Sequence, residues 1–203
     1  GKSLIAKELH DFSDRRSFPF VVVNASDLNE LEGPSRVLSK AKGGTVLFDE
    51  IGDLDDESQA RIVRMIDNPG DHAPRFMATS QINLSAAMEK GEVRQDLFYR
   101  LNGATLHVPS LRERVDDIPL LVEHFLAKSE REGAPLRVFS KEATELFRAY
   151  SWPGNVRHSS FSDNRLALTA RTEEVSLPEA ESVLGAQPQA GPLISGADTE
   201  KLS

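Results

Sequence analysis

The order of apolar and polar residues predicts alternating helices and strands in the first half of the chain. A helix is predicted over residues 2 to about 12, with one apolar face formed by Leu4, Ile5, Leu9 and Phe12. A second helix, with acidic residues in its first turn, is predicted over residues 55–66. Short runs of branched and aromatic residues predict buried strands at residues 20–23, 46–48, 76–79 and 104–108. Strands that alternate with helices indicate a parallel sheet covered on both faces.

The pattern changes after Pro109, where helical periodicity continues without further strand-like runs. Residues 117–119 predict the start of a helix, because proline is favoured in a first turn. Ser140 is predicted to cap a second helix, and residues 155 to about 171 are predicted to form a third. Trp152 lies between these two helices, and we interpret it as a packing anchor.

These changes divide the chain into three predicted parts. Residues 1–109 form an α/β core, and residues 110–184 form a small helical subdomain. Residues 185–203 are rich in Gly, Pro, Ala, Gln and Ser, which is typical of a flexible linker.

Composition narrows the possible classes of function. The formal net charge of −8 argues against a broad nucleic-acid-binding face. The absence of cysteine excludes disulfides and thiolate metal sites, and the five histidines show no spacing typical of metal ligands. No apolar run reaches the roughly 20 residues that span a bilayer, and no signal peptide is visible, so we expect a cytoplasmic protein without membrane contact.

The tripeptide Gly1-Lys2-Ser3 opens the first predicted helix. Such a tripeptide forms the closing part of phosphate-binding loops, in which backbone amides and the lysine hold phosphates and the serine hydroxyl binds Mg²⁺. Taken alone it is equally consistent with a chance match, because no loop glycine precedes it in the sequence.

Asp49 and Glu50 come directly after the apolar run at residues 46–48. Two consecutive acids at the carboxyl end of a buried strand suit metal-assisted phosphoryl transfer. Asp49 would hold Mg²⁺, and Glu50 would polarise the attacking water. The alternative is a strand that simply ends in a polar loop, and Gly1-Lys2-Ser3 upstream favours the catalytic interpretation.

Residues 1–157 resemble the AAA+ ATPase domains of bacterial enhancer-binding proteins, the sigma-54-dependent activators of the nitrogen-regulator type. The resemblance rests on four segments: GGTVLFDEIGD at 43–53, RQDLFYRLN at 94–102, LRER at 111–114 with DIP at 117–119, and WPGNVR at 152–157. It implies a P-loop NTPase fold followed by a helical lid, with ATP and Mg²⁺ as cofactors.

The resemblance also implies roles for individual residues. Arg94 and Arg100 correspond to arginine fingers, which reach the nucleotide of a neighbouring subunit and stabilise charge on the transferred phosphoryl group. Arg157 corresponds to the sensor II arginine. Asn24 corresponds to an asparagine that contacts the glutamate at position 50, although a simple cap or turn remains an alternative for it. Ser80-Gln81 corresponds to the sensor I pair, in which Gln81 can hydrogen-bond a phosphate or a water molecule.

The implied partners are other copies of the chain, in a hexameric or heptameric ring or an inactive dimer, and RNA polymerase holoenzyme. DNA would be bound by a domain outside this chain.

Three features depart from the family pattern. The GAFTGA loop, which touches sigma-54 in that family, is absent from the segment 24–43, and the second loop, at 67–74, is also short. Either this regulator does not remodel sigma-54 polymerase, or the native protein carries loop residues that this sequence lacks. Gln81 stands where Asn or His is usual. After Arg157 three serines occur within residues 158–162, and serine is unfavourable in a helix interior.

A further expectation follows from sheet architecture. In this family the strand before the phosphate loop lies in the middle of the sheet, and without it two inner strand edges would be unpaired. We therefore expect the native polypeptide to extend upstream of Gly1.

Two functions from different classes remain open. The first is an ATP-hydrolysing oligomeric module of a transcription regulator, which retention of Asp49, Glu50, Arg94 and Arg100 favours. The second is a nucleotide-binding interaction module without hydrolysis, which the shortened loops favour. Another type of AAA+ machine fits the segments at 94–102 and 111–114 poorly.

Overall fold

The computed structural model describes residues 1–30, 33–155 and 172–185. The chain separates into two compact units, the first comprising Gly1–Val108 and the second beginning at Pro109. Each unit has its own cluster of buried apolar side chains.

The first unit is built on a parallel three-stranded sheet. Its strands are β1 (Phe20–Val23), β2 (Thr45–Phe48) and β3 (Arg75–Ala78), in the order β1-β2-β3. Val21 lies opposite Val46 in one ladder, and Val46 lies opposite Phe76 in the next. All four residues of β2 are buried, as the apolar run predicted.

Six helices accompany this sheet in the described part of the first unit. They are α1 (Lys2–Asp11), α2 (Ala25–Asn29), α3 (Gly33–Lys40), α4 (Asp56–Asp67), α5 (Leu84–Glu89) and α6 (Gln95–Leu101). A 3₁₀ turn, Ile51–Asp53, follows β2. The predicted parallel α/β arrangement is therefore confirmed.

Helix α4 shows how the sequence fixes a boundary. The Asp55 carboxylate accepts a hydrogen bond from the Ser58 backbone N–H at 2.8 Å, which caps the helix. Ile62 and Val63 are buried, and Ile66 packs against the same cluster. The predicted inward face of this helix is confirmed.

One prediction for the first unit is wrong. Residues 104–108 form no strand, because no described strand lies beside them to supply a hydrogen-bonded ladder. The predicted helix α1 is present, but its apolar face is largely exposed: Leu4 is 64 % exposed and Phe12 is 85 % exposed. The residues of α1 that are buried are Ala6 and His10, and the His10 Nδ1 lies 2.9 Å from Thr45 Oγ1 in β2.

The second unit is mainly helical. It contains α7 (Ile118–Arg131), α8 (Lys141–Ala149) and α9 (Leu177–Gly185), together with two 3₁₀ turns at Leu111–Glu113 and Val115–Asp117. Two short strands, β4 (Val138–Phe139) and β5 (Glu174–Val175), pair in parallel. Sequence periodicity missed this ladder, because two residues are too few to show a period of two.

Trp152 anchors the core of the second unit, as predicted. Its side chain is buried, its Nε1 donates to the Phe147 carbonyl at 2.8 Å, and its ring lies 5.2 Å from that of Phe147. The predicted cap is also present, since the Ser140 Oγ accepts from the Ala143 N–H at 3.1 Å. The predicted helix at 155–171 lies outside the described residues except for Asn155, and the predicted linker lies outside them except for Gly185. None of the described helices is long and apolar enough to cross a membrane.

The buried cluster of the first unit allows a prediction about the stability of the fold. We expect Ile62→Ala to lower the free energy of unfolding by about 2–5 kcal/mol, because it leaves a cavity in the buried cluster that also contains Val46 and Phe48 of β2. Urea denaturation followed by circular dichroism measures this change. Leu106→Ala is the control, since Leu106 is 65 % exposed and its truncation should change the free energy by less than about 0.5 kcal/mol. Equal losses in the two variants would contradict the assignment of the core.

Candidate functional site

The candidate site lies at the carboxyl edge of the parallel sheet. Asp49 and Glu50 follow β2, and Thr79 follows β3. Adjacent parallel strands end at the same edge, so residues far apart in the sequence meet there. The first turn of α1, with Lys2 and Ser3, reaches the same place.

Asp49 is the centre of this site. Its Oδ1 accepts a hydrogen bond from the Ser3 hydroxyl at 2.9 Å and another from the Thr79 hydroxyl at 2.7 Å. The Asp49 backbone N–H donates to the Val23 carbonyl at 3.1 Å, which continues the ladder between β1 and β2. One carboxylate therefore joins the start of α1 to the ends of two strands.

Glu50 is held beside Asp49 in an unusual backbone conformation. Its φ of 53° and ψ of 58° lie in the left-handed region, which costs a non-glycine residue roughly 1–2 kcal/mol. Its backbone N–H donates to the Thr79 Oγ1 at 3.0 Å, and its Oε1 lies 3.0 Å from Lys2 Nζ. Both side chains of this ion pair are about one-third exposed, at 33 % for Lys2 and 28 % for Glu50.

Thr79 is the site residue that the sequence interpretation missed. Thr79 is buried, and its hydroxyl bridges the Asp49 carboxylate and the Glu50 amide, while its carbonyl accepts from the Ile51 N–H at 2.9 Å. A threonine directly after β3, at the same edge as Asp49, was the available signal. Gln81, the predicted phosphate contact, is exposed and contributes none of these hydrogen bonds.

The 3₁₀ turn after Glu50 packs closely against the loop after β3, where Gly52 lies next to Ile82. An ideal Cβ on Gly52 would lie 2.7 Å from the Ile82 Cδ1, which no side chain tolerates without displacement. The absence of a side chain at this position lets the 3₁₀ turn after Glu50 pack against the loop after β3.

Asn24 has a structural role in this conformation. It occupies the N-cap position of α2, and its backbone N–H donates to the Asp27 carboxylate at 3.0 Å. The partner of the Glu50 carboxylate is Lys2 rather than Asn24. The helix cap is therefore present in this conformation, and the contact between Asn24 and Glu50 stays a prediction.

The two predicted arginine fingers lie at the ends of α6, and each is paired with a carboxylate. Arg94 donates from Nε and Nη2 to Asp96 at 3.0 and 2.9 Å. Arg100 donates from Nε and Nη2 to Asp67 at 2.7 and 2.8 Å, and from Nη1 to the Asp96 carbonyl at 3.0 Å. These hydrogen bonds are bidentate and charge-assisted.

Ionisation of these pairs follows from their geometry. The hydrogen bonds from Arg100 lower the pKa of the Asp67 carboxyl, and those from Arg94 lower the pKa of the Asp96 carboxyl. Reciprocally, the carboxylates raise the pKa of Arg94 and Arg100. All four groups are therefore held in their charged forms.

The oxygen donors at the edge of the sheet suit Mg²⁺. This ion is commonly bound through one or two carboxylates with the remaining positions filled by water and substrate phosphates, and Asp49 with the Ser3 hydroxyl offers such a set. Among the described residues, no group of three or more His, Cys, Asp or Glu side chains forms a self-sufficient metal site. Lys2 and the N-terminal turn of α1, whose N-cap is Gly1, are the groups that could contact phosphate. Arg157 lies outside the described residues.

Comparison with protein families agrees with this geometry. Residues 1–111 match the model of the sigma-54 interaction domain, and residues 112–191 match the model of an AAA+ ATPase lid domain. The chain belongs to the sigma-54 interaction domain family. The predicted AAA+ P-loop NTPase fold is thereby confirmed.

Curated relatives of this sigma-54 interaction domain are transcription regulators. The chain is 37 % identical over 185 residues to the DNA-binding transcriptional regulator NtrC of Rhizobium meliloti, which covers 77 % of this chain and 38 % of that protein. It is 33 % identical over 217 residues to the transcriptional regulatory protein ZraR of Escherichia coli K12, covering 93 % of this chain and 49 % of ZraR. The chain thus spans half or less of the length of these relatives.

A solved structure matches both units. NtrX from Brucella abortus in complex with ADP has a TM-score of 0.79 and 29 % identity, over 91 % of this chain and 47 % of that one. A second structure, of NtrX in complex with ATP, has a TM-score of 0.73 and 31 % identity over 82 % of this chain and 44 % of that one.

The Arg100–Asp67 pair of this sigma-54 interaction domain makes a prediction about pH. Since the folded-state pKa of Asp67 is lowered, its charged form stabilises the fold above the unfolded pKa, and that contribution is lost as pH falls through the folded value. In Arg100→Ala we expect the pKa of Asp67 to rise towards that of an ordinary aspartate. Carboxyl ¹³C chemical shifts followed against pH measure this change. Arg36→Ala serves as the control, because Arg36 pairs with Glu30 instead. An Asp67 titration that is identical in all three proteins would rule out the pair in solution.

Proposed function

We propose that this chain binds and hydrolyses ATP as an oligomeric module of a bacterial transcription regulator. The observation that carries the proposal is the junction on Asp49, where the Ser3 and Thr79 hydroxyls meet while Lys2 pairs with the adjacent Glu50. Hydroxyl, carboxylate and ammonium groups in this arrangement suit a triphosphate with its metal ion.

Each residue of the junction has a distinct task in this proposal. Lys2 and the amides of the first turn of α1 hold phosphate oxygens. Ser3 and Asp49 hold Mg²⁺, which when bound neutralises charge on the phosphates. Thr79 fixes Asp49 and Glu50 relative to each other, because one hydroxyl contacts the carboxylate of the first and the amide of the second.

Glu50 is the general base in the proposed reaction. A bound phosphate competes with Glu50 for Lys2, so nucleotide binding releases the Glu50 carboxylate from its ion pair. The free carboxylate then accepts a proton from the attacking water, whose oxygen forms a bond to the terminal phosphorus as the bond to the leaving ADP oxygen breaks.

Arg94 and Arg100 complete the site of a second copy of the chain. Within the first unit neither arginine contacts Asp49 or Glu50, since their carboxylate partners are Asp96 and Asp67. Guanidinium groups can donate hydrogen bonds to the equatorial oxygens of the phosphoryl group during its transfer and so stabilise their negative charge. NtrX, whose fold is similar, has been solved in complex with ADP and with ATP, and this supports the proposal that the present chain binds a nucleotide.

The biological setting of the proposal comes from the relatives. NtrC is named a DNA-binding transcriptional regulator and ZraR a transcriptional regulatory protein. We propose that this chain serves the same class of process, with RNA polymerase holoenzyme as partner and DNA contact made by a domain outside residues 1–203. We also propose a two-part core and lid, residues 1–109 and 110–184, followed by a linker.

The short loops point to a departure from sigma-54 remodelling. The sequence contains no GAFTGA segment, and the helices α2 and α3 fill most of the stretch between β1 and β2. The match to the NtrC protein of Azospirillum brasilense extends over 231 positions, more than the 203 residues of this chain, which supports insertions in the relative. We propose that this protein does not remodel sigma-54 polymerase, because the segment between β1 and β2 and the loop at residues 67–74 are both short. The same observation favours the second candidate, a nucleotide-binding oligomerisation module without hydrolysis.

An ATPase assay on the full chain separates the two candidates. In Glu50→Gln we expect turnover to fall by about 100-fold or more, because the general base is lost, while nucleotide binding persists. Phosphate release measures turnover, and fluorescence titration with a labelled ATP analogue measures binding.

Glu89→Gln is the matched control for this assay, since Glu89 is an exposed acid at the end of α5 and forms no contact with the junction. Its turnover should equal that of the wild type. Nucleotide binding without turnover in the wild type would favour the non-hydrolysing module. Equal turnover in wild type and Glu50→Gln would exclude Glu50 as the base.

A further inference from the structure

Asp67 is the last residue of α4 and is outside the junction at Asp49. A carboxylate is unfavourable at the C-terminal end of a helix, where the backbone carbonyls already present negative potential. The bidentate hydrogen bonds from Arg100, at 2.7 and 2.8 Å, offset this repulsion. The main structural consequence of a charge at position 67 is therefore the placement of Arg100.

The ion pair with Asp67 reduces the ability of the Arg100 guanidinium to bind a phosphate. Its Nε and Nη2 are directed at Asp67, and its Nη1 donates to the Asp96 carbonyl at 3.0 Å. All three nitrogens of the guanidinium are thus engaged within the same chain. Asp67 occupies the Nε–Nη2 edge, which could otherwise hold a phosphate through two hydrogen bonds, and its carboxylate also neutralises the positive charge that attracts phosphate.

We propose that Asp67 is an inhibitory counter-ion for Arg100, which holds this arginine within its own subunit until a nucleotide-loaded second copy competes for it. The inference rests on the proposed role of Arg100 at the site of another subunit. It adds a regulatory step, because assembly on nucleotide must break the Arg100–Asp67 pair. The strength of that pair then sets the protein concentration at which subunits associate.

The pair suits a reversible switch. The Arg100 and Asp67 side chains are 34 % and 43 % exposed, so water can replace the lost hydrogen bonds on each side when the pair opens. Arg94 is less suitable for a test, because its partner Asp96 also accepts a hydrogen bond from the Leu97 N–H at the start of α6. Removing Asp96 would therefore perturb the helix as well as the arginine.

The test is the concentration dependence of self-association in the full chain. Sedimentation velocity is run with a non-hydrolysable ATP analogue on wild type, Asp67→Asn and Asp71→Asn. We expect Asp67→Asn to lower the midpoint concentration of assembly by about two- to fivefold, the range of an exposed ion pair. Asp71→Asn removes the same charge from a nearby exposed loop position and should leave the midpoint unchanged.

A second pair of variants shows that the effect passes through Arg100. In an Arg100→Ala background, Asp67→Asn should no longer shift the midpoint, since the arginine to be released is missing. Thermal unfolding of each variant confirms that the comparison is made between folded chains.

The outcomes distinguish this inference from the proposed function. A midpoint in Asp67→Asn that equals or exceeds that of the wild type overturns the inhibitory role, and so does a shift that persists without Arg100. A chain that stays monomeric with the analogue in every variant contradicts both the proposed oligomeric site and the switch. A shifted midpoint in a chain that shows no turnover would leave the switch standing and overturn hydrolysis alone.

Discussion

The Thr79 hydroxyl is the contact on which the candidate site depends. It donates to the Asp49 carboxylate at 2.7 Å and accepts from the Glu50 amide at 3.0 Å, so it ties the end of β2 to the end of β3. The register of the parallel sheet makes this possible, because Phe48 lies opposite Ala78 and the next residues leave the sheet together. Without that register, the two acids would follow a strand whose neighbour ends elsewhere.

The hydrogen bonds at this edge also offset local strain. Glu50 adopts a left-handed backbone conformation, which a glycine would adopt at less cost. Two hydrogen bonds to Thr79, one to its hydroxyl and one from the Ile51 N–H to its carbonyl, hold the backbone on both sides of Glu50. The strain therefore lies at the carboxylate that we propose as the general base, which such a role would require to be fixed in position.

Much of this architecture could be predicted from the sequence, for identifiable reasons. The strands at β1, β2 and β3 and the helix α4 follow from apolar runs and capping residues, which act locally. The failures depend on distant partners. A strand at 104–108 needs a neighbour that periodicity does not reveal, and the exposed face of α1 depends on what packs against it. Thr79 was missed because a hydroxyl gains its role only from the register of the sheet.

The ion pairs of Arg94 and Arg100 also affect how strongly the chain attracts nucleic acids and other polyanions. A bare guanidinium on a surface attracts nucleic acids and other polyanions without regard to sequence. Here Arg94 and Arg100 each have a carboxylate within 3 Å, and the formal charge of the whole chain is −8. In this conformation Arg94 and Arg100 therefore present little unpaired positive charge to which RNA or DNA could bind without regard to sequence.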